Sequence, residues 1–160
     1  MAIERVGVVG AGTMGAGIAQ VACLGGIETH LHDPIPEALA TGEERLRAAL
    51  AKGAQRGRWT EEEARLAAER LHAASDLADL AGCELVIEAA PEDLKLKREL
   101  FERLADACGP ETILATNTSS LSVTAIAAGV PEPRRVVGID RKSTRLNSSH
   151  TATSRMPSSA

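Results

Sequence analysis

The chain has 160 residues, of which 44% are hydrophobic and 25% are charged, and its formal net charge is −4. This length predicts one domain with enough apolar material for a core. A net negative charge without a basic stripe argues against a nucleic-acid partner, and the lack of an apolar run of about 18 residues argues against a membrane role. Three cysteines without a CxxC pair predict no metal site and favour reduced, buried thiols in a cytoplasmic protein.

A glycine-rich motif follows the first apolar segment of the chain. A short β-branched run leads into Gly10-x-Gly12-x-x-Gly15, and a helical pattern comes directly after it. In such a motif Gly10 permits the tight turn out of a strand, and Gly12 lets a pyrophosphate approach the backbone. Gly15 then lets the helix pack closely against the strand. The motif predicts a dinucleotide site, and the alternative is a structural strand–turn–helix corner.

The residues after this motif extend the predicted site. Thr13 and Met14 lie at the start of the predicted helix, where backbone N–H groups bind phosphate. Asp33 ends a second apolar segment, 18 residues beyond Gly15, and no Arg or Lys directly follows it. A carboxylate at this position accepts hydrogen bonds from the adenosine ribose and repels a 2′-phosphate. The sequence therefore predicts binding of NAD rather than NADP.

Predicted strands and helices alternate along the chain. The strands cover 5–9, 28–32, 71–74, 84–88, 112–115 and 135–139, and the helices cover 14–24, 36–52, 60–71, 92–108 and 122–128. This alternation predicts an α/β fold with a Rossmann-type doubly wound parallel sheet. The two-helix excursion after the second strand is longer than a crossover needs. Such an insertion is typical of extra surface for a substrate, and a structural arm is the alternative.

Four segments carry a resemblance to a known family. They are VVGAGTMGAGIAQ at 8–20, VIEAAPEDLKLK at 86–97, ATNTSSL at 115–121 and VVGI at 136–139. In order and spacing they resemble the NAD-binding domain of 3-hydroxyacyl-CoA dehydrogenases, including bacterial 3-hydroxybutyryl-CoA dehydrogenases. The resemblance covers residues 3–139. It implies an NAD-binding domain at 1–139, incomplete at its C-terminal end and truncated before the family's C-terminal helical domain.

The family's reaction is reversible hydride transfer between C3 of an L-3-hydroxyacyl-CoA and C4 of nicotinamide, in fatty acid and butanoate metabolism. The resemblance implies that Glu92 and Lys97 contact the nicotinamide half of NAD. It places Asn117 and Ser119 beside the reacting carbon, where a Ser119 hydroxyl donates to the C3 oxygen as charge builds there. Arg56, in a basic loop, is predicted near the phosphates of an acyl-CoA substrate.

Several of these residues have a structural alternative. Glu92 is also favourable near a helix N-terminus because of the helix dipole, and a lone Lys such as Lys97 is usually a solvated helix charge. The segment 117–119 is also typical of an N-cap cluster for the next helix. Glu88, at the carboxyl end of a predicted strand, is a further candidate for the lining of the cleft.

The sequence departs from the family's pattern at Asp140. The family continues with Gly-x-His-Phe-Phe-Asn-Pro, and that His is the general base for the C3 hydroxyl. Asp140 occupies the His position, so we expect this chain to be inactive. Residues 140–160 resemble the translation of a DNA-sequencing adapter, which predicts a non-native, disordered tail. A native Ser/Thr-rich tail is the alternative.

Three functions from different classes remain open. The first is the NAD-binding part of a 3-hydroxyacyl-CoA dehydrogenase, whose parent the resemblance predicts to be a homodimer through its C-terminal domain. The second is an NAD-dependent dehydrogenase of a sugar acid or free hydroxy acid on the same fold. The third is a non-catalytic NAD-binding module, against which the polar block 117–120 argues. The basic loop at Lys52, Arg56 and Arg58 favours a CoA ester.

Overall fold

Six parallel strands form one sheet in the computed structural model, which describes residues 2–139. The strands are β1 Arg5–Val9, β2 Glu28–His32, β3 Leu71–Ala74, β4 Leu85–Glu88, β5 Ile113–Thr116 and β6 Val136–Gly138. Their order is β3-β2-β1-β4-β5-β6, and every neighbouring pair is parallel. This is the doubly wound Rossmann order, so the predicted fold is confirmed. The predicted tail at 140–160 lies outside the described residues.

The helices connect the strands across both faces of the sheet. They are α1 Thr13–Leu24, α2 Pro36–Gln55, α3 Glu61–Glu69, α4 Leu94–Ala107 and α5 Val123–Ile126, with short 3-10 turns at Leu77–Leu80, Ala127–Gly129 and Pro133–Arg135. The excursion after β2 is formed by α2 and α3, as predicted. Side-chain caps set three of the helix starts, including that of α5, where Ser122 accepts from the Ala125 N–H. Thr60 and Glu63 form a reciprocal capping box before α3, and Asp93 accepts from the Leu96 N–H before α4.

The core divides into two clusters, one on each face of the sheet. On one face, α1, α2 and α3 pack Cys23, Leu46 and Leu50 against Val8 and Leu31 of the strands. On the other face, Val86 and Leu114 of the sheet pack against three residues in and just after α4. These are Phe101 and Leu104 of α4 and Cys108, which directly follows α4. Because aromatic residues are nearly absent, short aliphatic side chains fill both clusters.

The parallel arrangement brings the carboxyl ends of all six strands to one edge of the sheet. The connections from β1 and β4 leave this edge in opposite directions, since β2 and β5 lie on opposite sides of that pair. Doubly wound sheets bind ligands at this switch point, outside the carboxyl ends of the strands. The loops that follow β1, β2, β4 and β5 therefore form the candidate site.

Candidate cofactor-binding site

The glycine-rich turn connects β1 to α1. Gly10 has φ +105°, in the left-handed region, and its N–H donates to the carbonyl of His32 at 2.8 Å. A Cβ on Gly10 would lie 2.7 Å from the Ala89 carbonyl oxygen, and one on Gly15 would lie 1.6 Å from the Gly10 oxygen. A Cβ on Gly12 would have no atom of residues 2–139 within 4 Å, its chain neighbours aside. The fold therefore requires Gly10 and Gly15, whereas Gly12 faces open space that a ligand can enter.

The first turn of α1 directs backbone N–H groups into this space. Gly12 is the N-cap residue of α1 and supplies no side-chain cap, and Thr13 and Met14 begin the helix. The first turn also lacks an acidic side chain, so its partial positive charge is not neutralised locally. Such a helix start binds phosphate groups.

Asp33 lies at the carboxyl end of β2, beside the turn. Its Oδ2 accepts a hydrogen bond from the Ala11 N–H and its Oδ1 accepts one from the Ile35 N–H, both at 2.9 Å. A cavity of about 570 Å³ opens next to this carboxylate. Its apolar wall includes Pro34 and Ile35 on one side and Pro91, Leu96 and Leu100 on the other. The volume falls in the range of about 300–1,000 Å³ that ligand pockets occupy.

Lys97 of α4 lies beneath the loop after β4, and its side chain is only 1% exposed. Its Nζ donates to Oε2 of Glu88 and to the carbonyl of Ala90 at 2.9 Å, and it lies 3.2 Å from Oε1 of Glu92. The structure thus excludes the alternative of a solvated helix charge. Glu88 is 0% exposed, so it lies under the cleft and does not line it.

Glu92 connects the loop after β4 to the loop after β5. Its Oε2 accepts hydrogen bonds from the hydroxyls of Thr118 and Ser120, each at 2.7 Å. The hydrogen bond from Thr118, together with those from Ser120 and Lys97, lowers the pKa of the Glu92 carboxyl. Glu92 therefore stays ionised at neutral pH. Because it binds Thr118, Ser120 and Lys97, it connects two loops and is more than a favourable charge at the start of α4.

Asn117 and Ser119 follow β5 at the same edge of the sheet. The Asn117 backbone N–H donates to the carbonyl of Glu88 at 2.9 Å, which holds the loop after β5 against the end of β4. Ser122 caps α5 by accepting from the Ala125 N–H, so the segment 117–119 is not the N-cap cluster of that helix. Within residues 2–139, no group forms a hydrogen bond with the side-chain amide of Asn117 or the hydroxyl of Ser119. Both side chains are therefore available to a ligand.

Comparison with known proteins agrees with this geometry. Residues 5–140 match the family model described as 3-hydroxyacyl-CoA dehydrogenase, NAD binding domain. The chain belongs to the 3-hydroxyacyl-CoA dehydrogenase family. The predictions of the family and of NAD as cofactor are therefore confirmed.

Two curated relatives and one solved structure illustrate the match. The chain is 45% identical to 3-hydroxyadipyl-CoA dehydrogenase of Escherichia coli, over 86% of this chain and 29% of the relative. It is 42% identical to the probable 3-hydroxybutyryl-CoA dehydrogenase of Bacillus subtilis, over 87% and 48%. The crystal structure of 3-hydroxybutyryl-CoA dehydrogenase from E. coli superposes with a TM-score of 0.85 at 44% identity, covering 88% of this chain and 30% of that one. The chain thus spans less than half the length of these relatives.

One predicted residue lies away from this candidate site. Arg56 follows the last residue of α2, which has 20 residues and begins just after Ile35. At 1.5 Å per residue, α2 is about 30 Å long. The structure therefore does not bring Arg56 beside Asp33, and a contact with CoA phosphates stays a prediction. Residues 2–139 also contain no group of three or more His, Cys, Asp or Glu side chains placed to hold a metal ion.

Sequence reasoning missed three hydroxyl residues of the candidate site. Thr116 donates to Oε1 of Glu88 at 2.6 Å, while Thr118 and Ser120 hold Glu92. A sequence signal for Thr116 was available. A polar residue ends each of the neighbouring buried strands β4 and β5, and the sheet register pairs these two residues, Glu88 and Thr116. The contacts of Thr118 and Ser120 depend on how two loops meet, and no spacing in the sequence encodes that.

Proposed function

We propose that this chain is the NAD-binding part of an oxidoreductase that interconverts L-3-hydroxyacyl-CoA and 3-oxoacyl-CoA. One observation carries the proposal: among residues 2–139 no group bonds to the Asn117 side-chain amide or the Ser119 hydroxyl, and both residues flank Thr118, which donates to Glu92. A site that only binds a dinucleotide needs no such groups at this end. Asp33 and the start of α1 lie on the β2 side of the switch point, so the residues after β4 and β5 serve the opposite, nicotinamide half.

Each residue has a role in this proposal. The first turn of α1 binds the pyrophosphate, and Gly12 leaves the space for it. Asp33 accepts from the adenosine ribose hydroxyls. A carboxylate has about four acceptor sites, and groups within residues 2–139 occupy two of them, so capacity remains for the ribose. Bound NAD supplies the hydride acceptor, and NADH supplies the donor for the reverse reaction. Ser119 donates to the oxygen on C3 of the substrate, and Asn117 orients the cofactor or substrate.

The general base is the part of the machinery that this chain lacks. The family pattern puts a His where this sequence has Asp140, a position outside the described residues. We therefore expect the chain to bind NADH and to leave acetoacetyl-CoA unreduced, even with saturating NADH. Turnover above background would contradict both the catalytic-His argument and the assignment of the sequence from 140 onward as non-native.

A chimera tests the activity of the domain. Residues 1–139 would replace the matched region of the B. subtilis relative, which supplies the remainder of its own chain. We expect NADH-dependent reduction of acetoacetyl-CoA but not of free acetoacetate. Reduction of acetoacetate alone would favour a dehydrogenase of free hydroxy acids. A folded chimera that binds NADH and reduces neither would favour a non-catalytic module.

We further infer that the full-length parent acts on an acyl-CoA in the cytoplasm as a homodimer, without a nucleic-acid or membrane partner. The three cysteines are free and buried, which supports a reducing compartment. No helix among residues 2–139 is long and apolar enough to span a bilayer. The resemblance supports dimerisation through the C-terminal domain, and sedimentation of the full-length parent tests it.

A further inference from the structure

A fully buried carboxylate lies beneath the nicotinamide end of the site. Glu88 ends β4, and its carboxylate accepts from the Ala90 N–H and the Thr116 hydroxyl, each at 2.6 Å, and from the ammonium of Lys97. Burying a carboxylate is costly unless it is paired and hydrogen-bonded, and here both conditions are met. Because Glu88 is inaccessible, it cannot touch the cofactor or the substrate itself.

Lys97 connects this buried carboxylate to the surface of the site. Its ammonium has three hydrogens, and three acceptors surround it: Glu88, the carbonyl of Ala90, and Glu92 at 3.2 Å. The position of the ammonium is therefore determined by the protein. Glu92 differs from the other carboxylate, Glu88, because its side chain is 44% exposed, so it connects the buried Lys97 to the surface of the site.

We propose that Glu88 is a positioning residue for the nicotinamide half of the cofactor site. It holds Lys97 in place, and Lys97 in turn orients Glu92 and, through it, the loop that carries Asn117 and Ser119. Without the charge of Glu88, Glu92 is the carboxylate within residues 2–139 that remains beside the Lys97 ammonium, and the ammonium moves outward toward it. This inference rests on the proposed function.

The proposal predicts an effect on one half of the cofactor only. The adenosine half lies at Asp33, after β2, and the strand order puts β1 between β2 and β4. Glu88→Gln therefore weakens the binding of NADH and leaves the binding of ADP unchanged, since ADP lacks the nicotinamide riboside. A carboxylate that merely stabilised the domain would affect both ligands or neither.

The experiment compares NADH and ADP binding to the full chain by titration calorimetry, with thermal unfolding to verify the fold. We expect Glu88→Gln to raise the Kd for NADH at least tenfold while the Kd for ADP stays within twofold. Glu84→Gln is the matched control. Glu84 immediately precedes β4, at the opposite edge of the sheet, and accepts from the backbone N–H groups of Glu4 and Arg5. Glu84→Gln leaves both affinities unchanged.

A double variant separates positioning from charge balance. The variant Glu88→Gln can unfold because the buried Lys97 loses its buried carboxylate partner, Glu88. In that case the double variant Glu88→Gln with Lys97→Met removes both charges and restores the fold. We expect this double variant to bind ADP normally and NADH weakly. Recovery of NADH affinity in the double variant would overturn the proposal, and so would equal losses for the two ligands or no loss in Glu88→Gln. A wild-type chain that binds neither ligand would instead contradict the proposed function.

Discussion

The Asp33 carboxylate accepts a hydrogen bond from the backbone N–H of Ala11 at 2.9 Å, across 22 residues of sequence. Its second oxygen accepts from the Ile35 N–H just before α2. The carboxylate that we propose accepts from the adenosine ribose therefore also holds the glycine-rich turn against the end of β2. In this proposal, cofactor recognition and local stability depend on the same carboxylate.

Replacing Asp33 with Ala is expected to affect stability and binding together. The two backbone N–H groups lose their acceptor, and hydrogen bonds to charged groups contribute about 1.5–3 kcal/mol each. Because the bond from Ala11 is part-buried and the bond from Ile35 is exposed, water replaces some of the loss, and we expect a total of roughly 2 kcal/mol. NADH and ADP both bind at least tenfold more weakly. Urea unfolding and calorimetry measure the two effects, and unchanged ADP affinity would contradict the role of Asp33.

Substitution by Ala is expected to affect stability at one glycine of this turn and NADH binding at another. Gly15→Ala puts a Cβ 1.6 Å from the Gly10 carbonyl oxygen, so backbone must move, and overpacking of this kind costs about 1–3 kcal/mol or more. The Cβ of Gly12→Ala meets no atom within 4 Å among residues 2–139, its chain neighbours aside. Because Gly is preferred to Ala at the N-cap, we expect this variant to lose only about 0.5–1 kcal/mol.

Ligand binding distinguishes the pair further. Gly12→Ala fills the space that the pyrophosphate requires, so a folded variant with NADH affinity reduced at least tenfold is expected. Thermal unfolding and NADH titration of both variants test this. Normal NADH binding by Gly12→Ala would mean that the pyrophosphate does not lie at this turn.

The sequence could predict the parts of the molecule that depend on local patterns. The strand–turn–helix at Gly10–Gly15, the capping box at Thr60 and the doubly wound parallel sheet all follow from spacing, turn chemistry and alternation. The network around Glu88 could not be predicted in this way. It joins β4, α4 and β5 through side chains 9 and 28 residues apart, and a Lys on an amphipathic helix looks solvent-exposed until the tertiary contacts are known.

The three cysteines are expected to be unreactive in the folded chain. Cys23, Cys83 and Cys108 are buried and free, and burial raises the pKa of each thiol, that of Cys83 to about 12. Because the thiolate is the nucleophile, we expect no reaction with Ellman's reagent at about pH 8 without denaturant, and reaction of all three thiols in guanidinium. Rapid labelling of the native chain would contradict the described packing.

Stability is expected to fall with acidification because of His30. Its ring stacks on His72 with centroids 5.0 Å apart, and His72 in turn contacts Glu28 at 2.6 Å. Burial lowers the pKa of His30 below 6.5, and the charges of His72 and Arg5 add to this, while Glu28 and Asp79 oppose it. The unfolded chain therefore binds more protons than the folded chain once the pH drops below about 6.5.

Urea midpoints at about pH 7.5 and pH 5.5 measure this loss, since His30 titrates within that window in the unfolded chain. His30→Gln removes the titrating group, and we expect the midpoint to change less between the two pH values than in the wild type. His72→Gln is the matched comparison. It removes one positive neighbour and leaves the burial of His30, which is the largest cause of the shift. The change in midpoint between the two pH values is therefore smaller in His72→Gln than in the wild type, but it does not disappear. If His30→Gln shows the same change in midpoint as the wild type, other groups cause the acid sensitivity.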